Sequence, residues 1–136
     1  MSRWVFGRRS QQKLSTVHGD LFKVVEIALA GCPFDFTVIC GHRDEEAQNE
    51  AHATGASKVV WPNSKHNPNP SRAVDLAPWI NGSIPWHDEG SFYVLAGVVF
   101  ASAAELGVQL RFGGDWNRNG LTEDQSFHDL GHFELY

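Results

Sequence analysis

The amino-acid sequence predicts a single α+β domain in which a small antiparallel sheet packs with about three helices. The chain has 136 residues, of which 42% are hydrophobic, so it can bury one hydrophobic core without disulfide bonds or other cross-links. Runs with helical periodicity and short runs of β-forming residues are partly segregated and joined by short connections, which is typical of α+β folds. No internal repeat, low-complexity tract or linker interrupts the sequence, so we expect one domain over residues 1–136.

Two helices and one strand are predicted in the N-terminal half. Apolar residues recur at intervals of three and four from Ser10, a candidate helix cap, to about Ala30. Gly19 interrupts this pattern, so two shorter helices are an alternative. Residues 34–40 alternate and are rich in β-forming types, which predicts a strand. A further helix is expected from Asp44, whose side chain suits a helix N-terminus, to Gly55.

The C-terminal half begins with a loop over residues 56–72. A helix over about Ser91 to Glu105 is apolar almost all round, so we expect it to be buried. Gly107 is the residue expected to end it. Three strands are predicted here, at residues 73–79, 108–112 and 132–136.

Composition excludes several classes of function. The net charge of −5 argues against nucleic-acid binding, which depends on Lys and Arg contacts with phosphates. No apolar run approaches the length of a bilayer span, and the N-terminus has no extended apolar segment, so we expect no membrane insertion and a cytoplasmic start. Cys32 and Cys40 match neither a zinc knuckle nor a redox motif and are predicted to be core thiols, with a disulfide between them as the alternative.

A candidate metal site centres on Asp75, a carboxylate in the apolar run Ala73-Val74-Asp75-Leu76-Ala77. A buried carboxylate is costly unless it is paired or binds a metal. His66 precedes it across a Pro-rich loop, and His132 lies near the C-terminus. Two imidazoles and a carboxylate hold zinc with a fourth position open for water, the catalytic arrangement. The alternative is a satisfied core histidine beside a capping aspartate.

Two acidic residues accompany His132. Asp129 precedes it by one turn, so its carboxylate can serve as a general base beside the metal; the alternative is a turn-forming Asp. Glu134 shares a strand face with His132 and can orient its imidazole from outside the ligand set. The alternative for Glu134 is a surface carboxylate.

Arg43 follows the end of the first predicted strand, a usual position for functional side chains. Its guanidinium can bind a substrate carboxylate or carbonyl oxygen in a forked arrangement. A salt bridge to Asp44 or Glu46 is the alternative interpretation.

The segment that begins at Asp115 imitates the start of a calcium loop. Oxygen-bearing side chains stand at positions one, three and five (Asp115, Asn117 and Asn119), with Gly120 at position six. The bidentate Glu of such a loop is absent, since Ser126 occupies position twelve. An Asx-rich solvent turn is therefore the favoured interpretation, and calcium is the alternative.

Taken together, these residues resemble the zinc D,D-peptidase and hedgehog-like fold family, and in particular its phage branch of L-alanyl-D-glutamate peptidase endolysins. The motifs that carry the resemblance are Ser64-Lys65-His66, Ala73-Val74-Asp75 and Asp129-Leu130-Gly131-His132. Shorter similarities cover nearly the whole chain: Phe6-Gly7, Asp35-Phe36-Thr37 with Gly41 and Arg43, Ala77-Pro78, Ile80-Asn81-Gly82 and Leu110-Arg111-Phe112-Gly113.

The resemblance implies a role for each matched residue. It implies zinc ligands at His66, Asp75 and His132, a catalytic acid/base at Asp129, and substrate contacts at Arg43 and Ser64. It also adds weight to the calcium alternative for the Asp115 loop, without deciding it, because some relatives look able to bind calcium there. In one respect the chain departs from the family, which usually has a glycine and two fewer residues between the His and the Asp. Two additional residues in a surface loop cost little closure entropy.

The function implied is that of a phage endolysin, a zinc endopeptidase that hydrolyses the L-alanyl-D-glutamate bond of the peptidoglycan peptide stem to lyse the host. We expect a monomer that accumulates in the host cytoplasm and reaches the cell wall through a separate pore protein. One alternative is a D-alanyl-D-alanine carboxypeptidase or dipeptidase. Another is a non-catalytic cell-wall or partner-binding domain with structural zinc.

Overall fold

The computed structural model describes residues 4–123 and 128–136 and contains a four-stranded antiparallel sheet with order β1-β2-β4-β3. Four helices accompany it, so the predicted α+β fold is confirmed with one more helix than expected. In chain order the elements are α1 Arg8–Leu14, α2 Gly19–Gly31, β1 Asp35–Cys40, α3 Glu45–Ala53, β2 Ala73–Trp79, α4 Glu89–Leu106, β3 Leu110–Phe112 and β4 His132–Leu135.

The additional helix arises because the single helix predicted from Ser10 to Ala30 is two helices. His18 leaves the helical conformation between α1 and α2, and its Nδ1 accepts from the Asp20 backbone N–H, which caps α2. Ser10 is not a cap but a buried residue within α1. Its Oγ accepts from the Val38 N–H at 3.1 Å and lies 2.9 Å from Thr37 Oγ1, so it ties α1 to β1.

The other helix ends follow local capping chemistry. Asp44 caps α3 by accepting from the Ala47 N–H at 2.9 Å, as predicted. Asp88 caps α4, which therefore begins two residues earlier than predicted. Gly107 ends α4 with φ at 70°, a left-handed conformation that favours glycine.

Helix α4 buries one face only, contrary to the prediction that it is buried all round. Val94 is 48% exposed and Phe100 38% exposed, while Phe92, Leu95 and Val99 lie in the interior. By length and composition α4 could cross a membrane, so the expectation that no apolar run is long enough for a span is corrected. The buried core helices of other proteins commonly meet this criterion too. Helix α4 contacts α2, β2 and β3, and the absence of membrane insertion stays a prediction.

Alternation along the central strands separates the hydrophobic core from a polar face. Val74 and Leu76 of β2 and Phe133 of β4 are fully buried in the core with residues of α2 and α4. Asp75 and His132 point to the opposite face, and the register pairs them directly. Cys40 at the end of β1 is the partner of Asp75 on the other side. The sheet therefore brings side chains from three strands together on one face.

Candidate active site

A cavity of about 1000 Å³ lies over the polar face of the sheet. It is lined by all seven residues for which the sequence predicted a role in zinc binding, catalysis, substrate contact or orientation of an imidazole: Arg43, Ser64, His66, Asp75, Asp129, His132 and Glu134. The three residues of the predicted calcium loop do not line it.

His66 is held in one orientation by its Nδ1 atom. This nitrogen lies 2.7 Å from the carbonyl oxygen of Gly41, which can only accept, so Nδ1 carries the proton and donates. The Nε2 atom faces Asp75 Oδ1 at 3.2 Å. Because the side chain is only 2% exposed, the ring has little freedom to turn.

His132 is oriented in the same way through its other nitrogen. Its Nε2 donates to Glu134 Oε1 at 2.8 Å, and its Nδ1 lies 3.0 Å from Asp75 Oδ1. Glu134 is itself held by Arg111, whose Nη2 and Nε donate to Oε2 at 2.7 and 3.2 Å. Glu134 is therefore a buried carboxylate in a chain of hydrogen bonds rather than a surface residue.

Two ring nitrogens, His66 Nε2 and His132 Nδ1, therefore face Asp75 Oδ1. The other nitrogen of each ring already donates a hydrogen bond, to Gly41 O or to Glu134 Oε1. Without a cation, both rings must be protonated to satisfy these contacts. Burial alone would lower the pKa of each ring, but the charge and hydrogen bonds of Asp75 raise the pKa of His66 to about 10, and with Glu134 raise that of His132 to about 9. Burial would raise the pKa of Asp75, but the charges and hydrogen bonds of the two rings outweigh it and hold this pKa well below the usual range.

The same donor set suits a divalent cation in its chemistry, although His66 and His132 lie in two separate groups of closely spaced ligand atoms that share Asp75. With a cation present, neutral rings would offer His66 Nε2 and His132 Nδ1 as lone pairs, and Asp75 would offer an oxygen. Two nitrogens and one oxygen are ligands typical of catalytic zinc. The outer contacts to Gly41 and Glu134 are of the kind that orient metal-binding imidazoles.

Asp129 lies beside this set. Its Oδ2 is 4.0 Å from His132 Nδ1, and Asp75, Asp129 and His132 form a group close enough to share an ion. Burial and the charge of Asp75 raise the pKa of Asp129 above its ordinary value. A carboxylate of raised pKa in a cleft suits proton transfer.

Two glycines allow the turn that carries Asp129. A Cβ atom on Gly113 would lie 2.0 Å from the Asp129 carbonyl oxygen, and one on Gly131 would lie 2.3 Å from that of Leu76. The Asp129 N–H donates to Gly113 O at 2.8 Å, and the Leu76 N–H to Gly131 O at 2.8 Å. These close backbone contacts fix the turn against the sheet.

Arg43 approaches the cluster of His66, Asp75 and His132 from the Oδ2 side of Asp75. Its Nη2 lies 3.7 Å from Asp75 Oδ2, and its Nη1 donates to Gln48 Oε1 at 3.0 Å, so its ion pair is with neither Asp44 nor Glu46. Gln48 is fully buried and also accepts from Asn67 Nδ2. Sequence reasoning missed Gln48 because a single buried amide on the polar helix α3 leaves no apolar pattern to detect.

Ser64 is buried, and its Oγ accepts from the His66 backbone N–H at 3.1 Å. This bond shapes the loop that presents His66. The hydroxyl group also lines the cavity, and its predicted contact with substrate stays a prediction.

Cys40 corrects the prediction of two core thiols. Both cysteines are free and Cys32 is buried as expected, but Cys40 is half-buried and lines the cavity. Burial would raise the pKa of the Cys40 thiol, but its hydrogen bond to His66 and the charge of that ring lower it. Cys40, His66 and Asp75 form a second group that could hold an ion. The signal in the sequence that could have placed Cys40 in the cavity was its position at a strand end, one residue before Gly41.

In the predicted calcium loop, Asp115 and Asn119 use side-chain oxygens to bind the loop's own backbone. Asp115 accepts from the N–H groups of Asn119 at 3.2 Å and Gly120 at 2.8 Å, and Asn119 Oδ1 accepts from the Leu121 N–H. These are Asx-turn contacts, the favoured alternative. Position twelve, Ser126, lies outside the described residues, and calcium binding by Asp115, Asn117 and Asn119 stays a prediction.

Comparisons with known proteins point to one class of peptidase. A family model described as phage L-alanyl-D-glutamate peptidase matches residues 1–136. The L-alanyl-D-glutamate peptidase of Escherichia phage T5 is 39% identical over 135 residues, which cover 96% of each chain. The crystal structure of the Serratia marcescens L-Ala D-Glu endopeptidase ChiX is similar with a TM-score of 0.79 at 29% identity, covering 96% of this chain and 89% of that one.

Proposed function

Because the chain belongs to the phage L-alanyl-D-glutamate peptidase family, and is thereby a phage endolysin that cleaves this bond in peptidoglycan, we propose that it works as a zinc enzyme. The observation that carries the proposal is the convergence of His66 Nε2 and His132 Nδ1 on Asp75 Oδ1 at 3.2 and 3.0 Å. These three side chains would hold the zinc. When bound, the metal would polarise the scissile carbonyl group and make water more acidic.

Asp129 moves the proton in this mechanism. Its carboxylate stands within 4.0 Å of the ligand nitrogen of His132, so it can accept a proton from the attacking water. It then donates that proton to the amino group of D-glutamate as the peptide bond breaks. Burial, the largest cause of the raised pKa of Asp129, supports the second role, because burial favours the protonated form of a carboxyl group.

Three further residues position the reacting groups. Glu134 keeps the His132 proton on Nε2 and so directs Nδ1 towards the metal. Arg43 is placed to bind a carboxylate or carbonyl oxygen of the stem peptide, and Ser64 offers a hydroxyl in the same cavity.

The biological setting is part of the proposal. The enzyme acts as a monomer on the peptide stem, and it passes from the host cytoplasm to the wall through a separate pore protein. The family supports action on the cell wall. Fractionation of infected cells, with and without a functional pore, tests the route: the protein should remain cytoplasmic when the pore is absent, and release without it would contradict the proposal.

Mass spectrometry of digested peptidoglycan tests the chemistry. Purified peptidoglycan should yield a new D-glutamate amino terminus, and a chelator should abolish this product until zinc is added back. Release of D-alanine would instead identify a carboxypeptidase. Full zinc occupancy without cleavage, even with calcium added, would favour a non-catalytic domain with structural zinc.

A further inference from the structure

Trp86 stands at the mouth of the active-site cavity with 65% of its surface exposed. Single exposed aromatic residues are common and need no explanation. Trp79 is such a residue, since it is 42% exposed at the end of β2 and does not line the cavity. Trp86 differs because it borders the same cavity as His66, Asp75 and His132.

The ring of Trp86 is held as a platform. It stacks on Phe92 with ring centroids 5.9 Å apart and planes at 25°, and Phe92 is buried in α4. The backbone around it forms a tight turn in which the Trp86 N–H donates to Ile84 O and the Asp88 N–H donates to Pro85 O. Asp88 also caps α4. One face of the indole is thus supported by the core helix, while much of the ring remains open to solvent.

The substrate brings a sugar to this region. In peptidoglycan the amino group of L-alanine is joined through an amide to the lactyl group of a muramyl residue. The bond to be cleaved is therefore separated from the sugar ring only by one amino acid and the lactyl group, and an extended residue spans only about 3.3–3.6 Å. With the scissile bond at the three ligand side chains, the sugar must lie within or just outside the cavity.

The chemistry of the cavity mouth suits a pyranose ring. An indole face is electron-rich and apolar, so it can stack against the C–H face of a sugar. Glu89, an exposed carboxylate in the first turn of α4, lines the cavity beside Trp86 and can accept hydrogen bonds from sugar hydroxyl or acetamido groups. An aromatic platform beside a polar acceptor is the usual composition of a specific ligand site.

We propose that Trp86, with Glu89, forms a subsite for the muramyl residue that carries the stem peptide, an inference that rests on the proposed function. The subsite makes the enzyme prefer stem peptides still attached to the glycan over free ones. Zinc binding and proton transfer do not involve it, so its loss should affect only substrates that carry the sugar.

Two matched substrates test this. One is N-acetylmuramyl-L-alanyl-D-glutamyl peptide, and the other is the same peptide with an acetyl group in place of the muramyl residue. We expect Trp86→Ala to lower kcat/KM for the muramyl peptide about fivefold or more, as truncation of an anchoring Trp commonly does. Cleavage of the acetyl peptide should change by less than about twofold. Trp86→Phe should restore part of the preference, and Glu89→Gln should reduce it.

Trp79→Ala is the control, since it removes an exposed indole away from the cavity and should leave both substrates unaffected. An equal loss of kcat/KM on both substrates with Trp86→Ala, or no loss on either, would overturn the sugar subsite. Neither result would contradict the proposed peptidase function. Failure of the unaltered enzyme to cleave either substrate would overturn the proposed function and this subsite with it.

Discussion

Individual side chains in this protein owe their chemistry to the partners around them. Asp75 carries a carboxylate between two imidazoles, whereas Asp129, a short distance away, is subject to burial and to the charge of Asp75. The pKa of Asp75 is therefore lowered and that of Asp129 raised. Two carboxylates with opposite pKa shifts in one cavity suit the two roles proposed for them, a ligand and a proton carrier.

Asp129→Asn tests the proton carrier. The substitution keeps the shape of the side chain but removes its ability to take a proton, so we expect cleavage to fall by about 10²–10⁴-fold. Zinc content, measured by elemental analysis, should not change because the three ligands remain. Asp44→Asn, at an exposed helix cap, is the control. Unchanged cleavage would remove Asp129 from the mechanism.

His66→Ala tests the ligand set. Loss of one nitrogen ligand should lower both the zinc content after dialysis and the rate of cleavage. His52→Ala in the last turn of α3 provides a histidine control away from the cavity. A fully loaded His66→Ala protein would show that this ring is not a ligand.

Glu134→Gln tests the orienting contact to His132. The amide keeps a hydrogen-bond acceptor but loses the charge that raises ligand basicity, and it weakens the contact with Arg111. We expect zinc affinity, measured by competition with a chromogenic chelator, to fall about 10–100-fold. Glu105→Gln on the exposed side of α4 should have no effect, and an equal affinity for both variants would contradict the assignment.

The elements of secondary structure place these side chains through register rather than through proximity in sequence. Pairing of Asp75 with His132 across β2 and β4, and of Cys40 with Asp75 across β1 and β2, brings together three strands. Gly131 lies where β4 begins, and its carbonyl oxygen accepts from the Leu76 N–H. The close approach of Gly131 to β2 is therefore part of the geometry that aligns His132.

Gly131→Ala should disturb that alignment. The added Cβ would meet the Leu76 carbonyl oxygen at 2.3 Å, so the strands must separate or shift. We expect a loss of about 1–3 kcal/mol in the free energy of unfolding, measured by denaturant titration, together with reduced zinc affinity. Gly97→Ala, at an exposed position of α4 with open space around it, should instead add about 0.5–1 kcal/mol. Equal changes in the free energy of unfolding for the two substitutions would show that the contact between Gly131 and β2 does not cause the loss.

At the scale of the whole molecule, the charged cluster links folding to pH and to metal. In the metal-free protein the pKa values of His66 and His132 are about 10 and 9, above the ordinary value of about 6.5. A raised pKa contributes stability that is fully present below the unfolded value and is lost as pH rises through the folded value.

Thermal unfolding in a chelator should therefore show a midpoint that falls as pH rises from about 7 to about 10. With zinc, the rings bind as neutral ligands, so the midpoint should be higher and should fall less over this range. Calorimetry on both forms measures the difference. A chelated protein whose midpoint is constant over this range would contradict the assignment of protonated rings.

Local patterns alone determined much of this protein. Period-two alternation, the Asp44 cap and the glycine at position 107 are short-range features, so they predicted β1, β2, α3 and the end of α4 closely. The types and motif context of His66, Asp75, Asp129 and His132 also indicated a peptidase of the family to which the chain belongs.

Only the tertiary structure decided how these residues meet. The ring nitrogens that face Asp75, the Arg111–Glu134–His132 chain, the place of Cys40 in the cavity and the exposed face of α4 depend on partners distant in sequence. Strand register and helix packing set those contacts, and a one-residue shift in register would turn each strand side chain to the other face. Sequence periodicity describes one element at a time, so it cannot specify them.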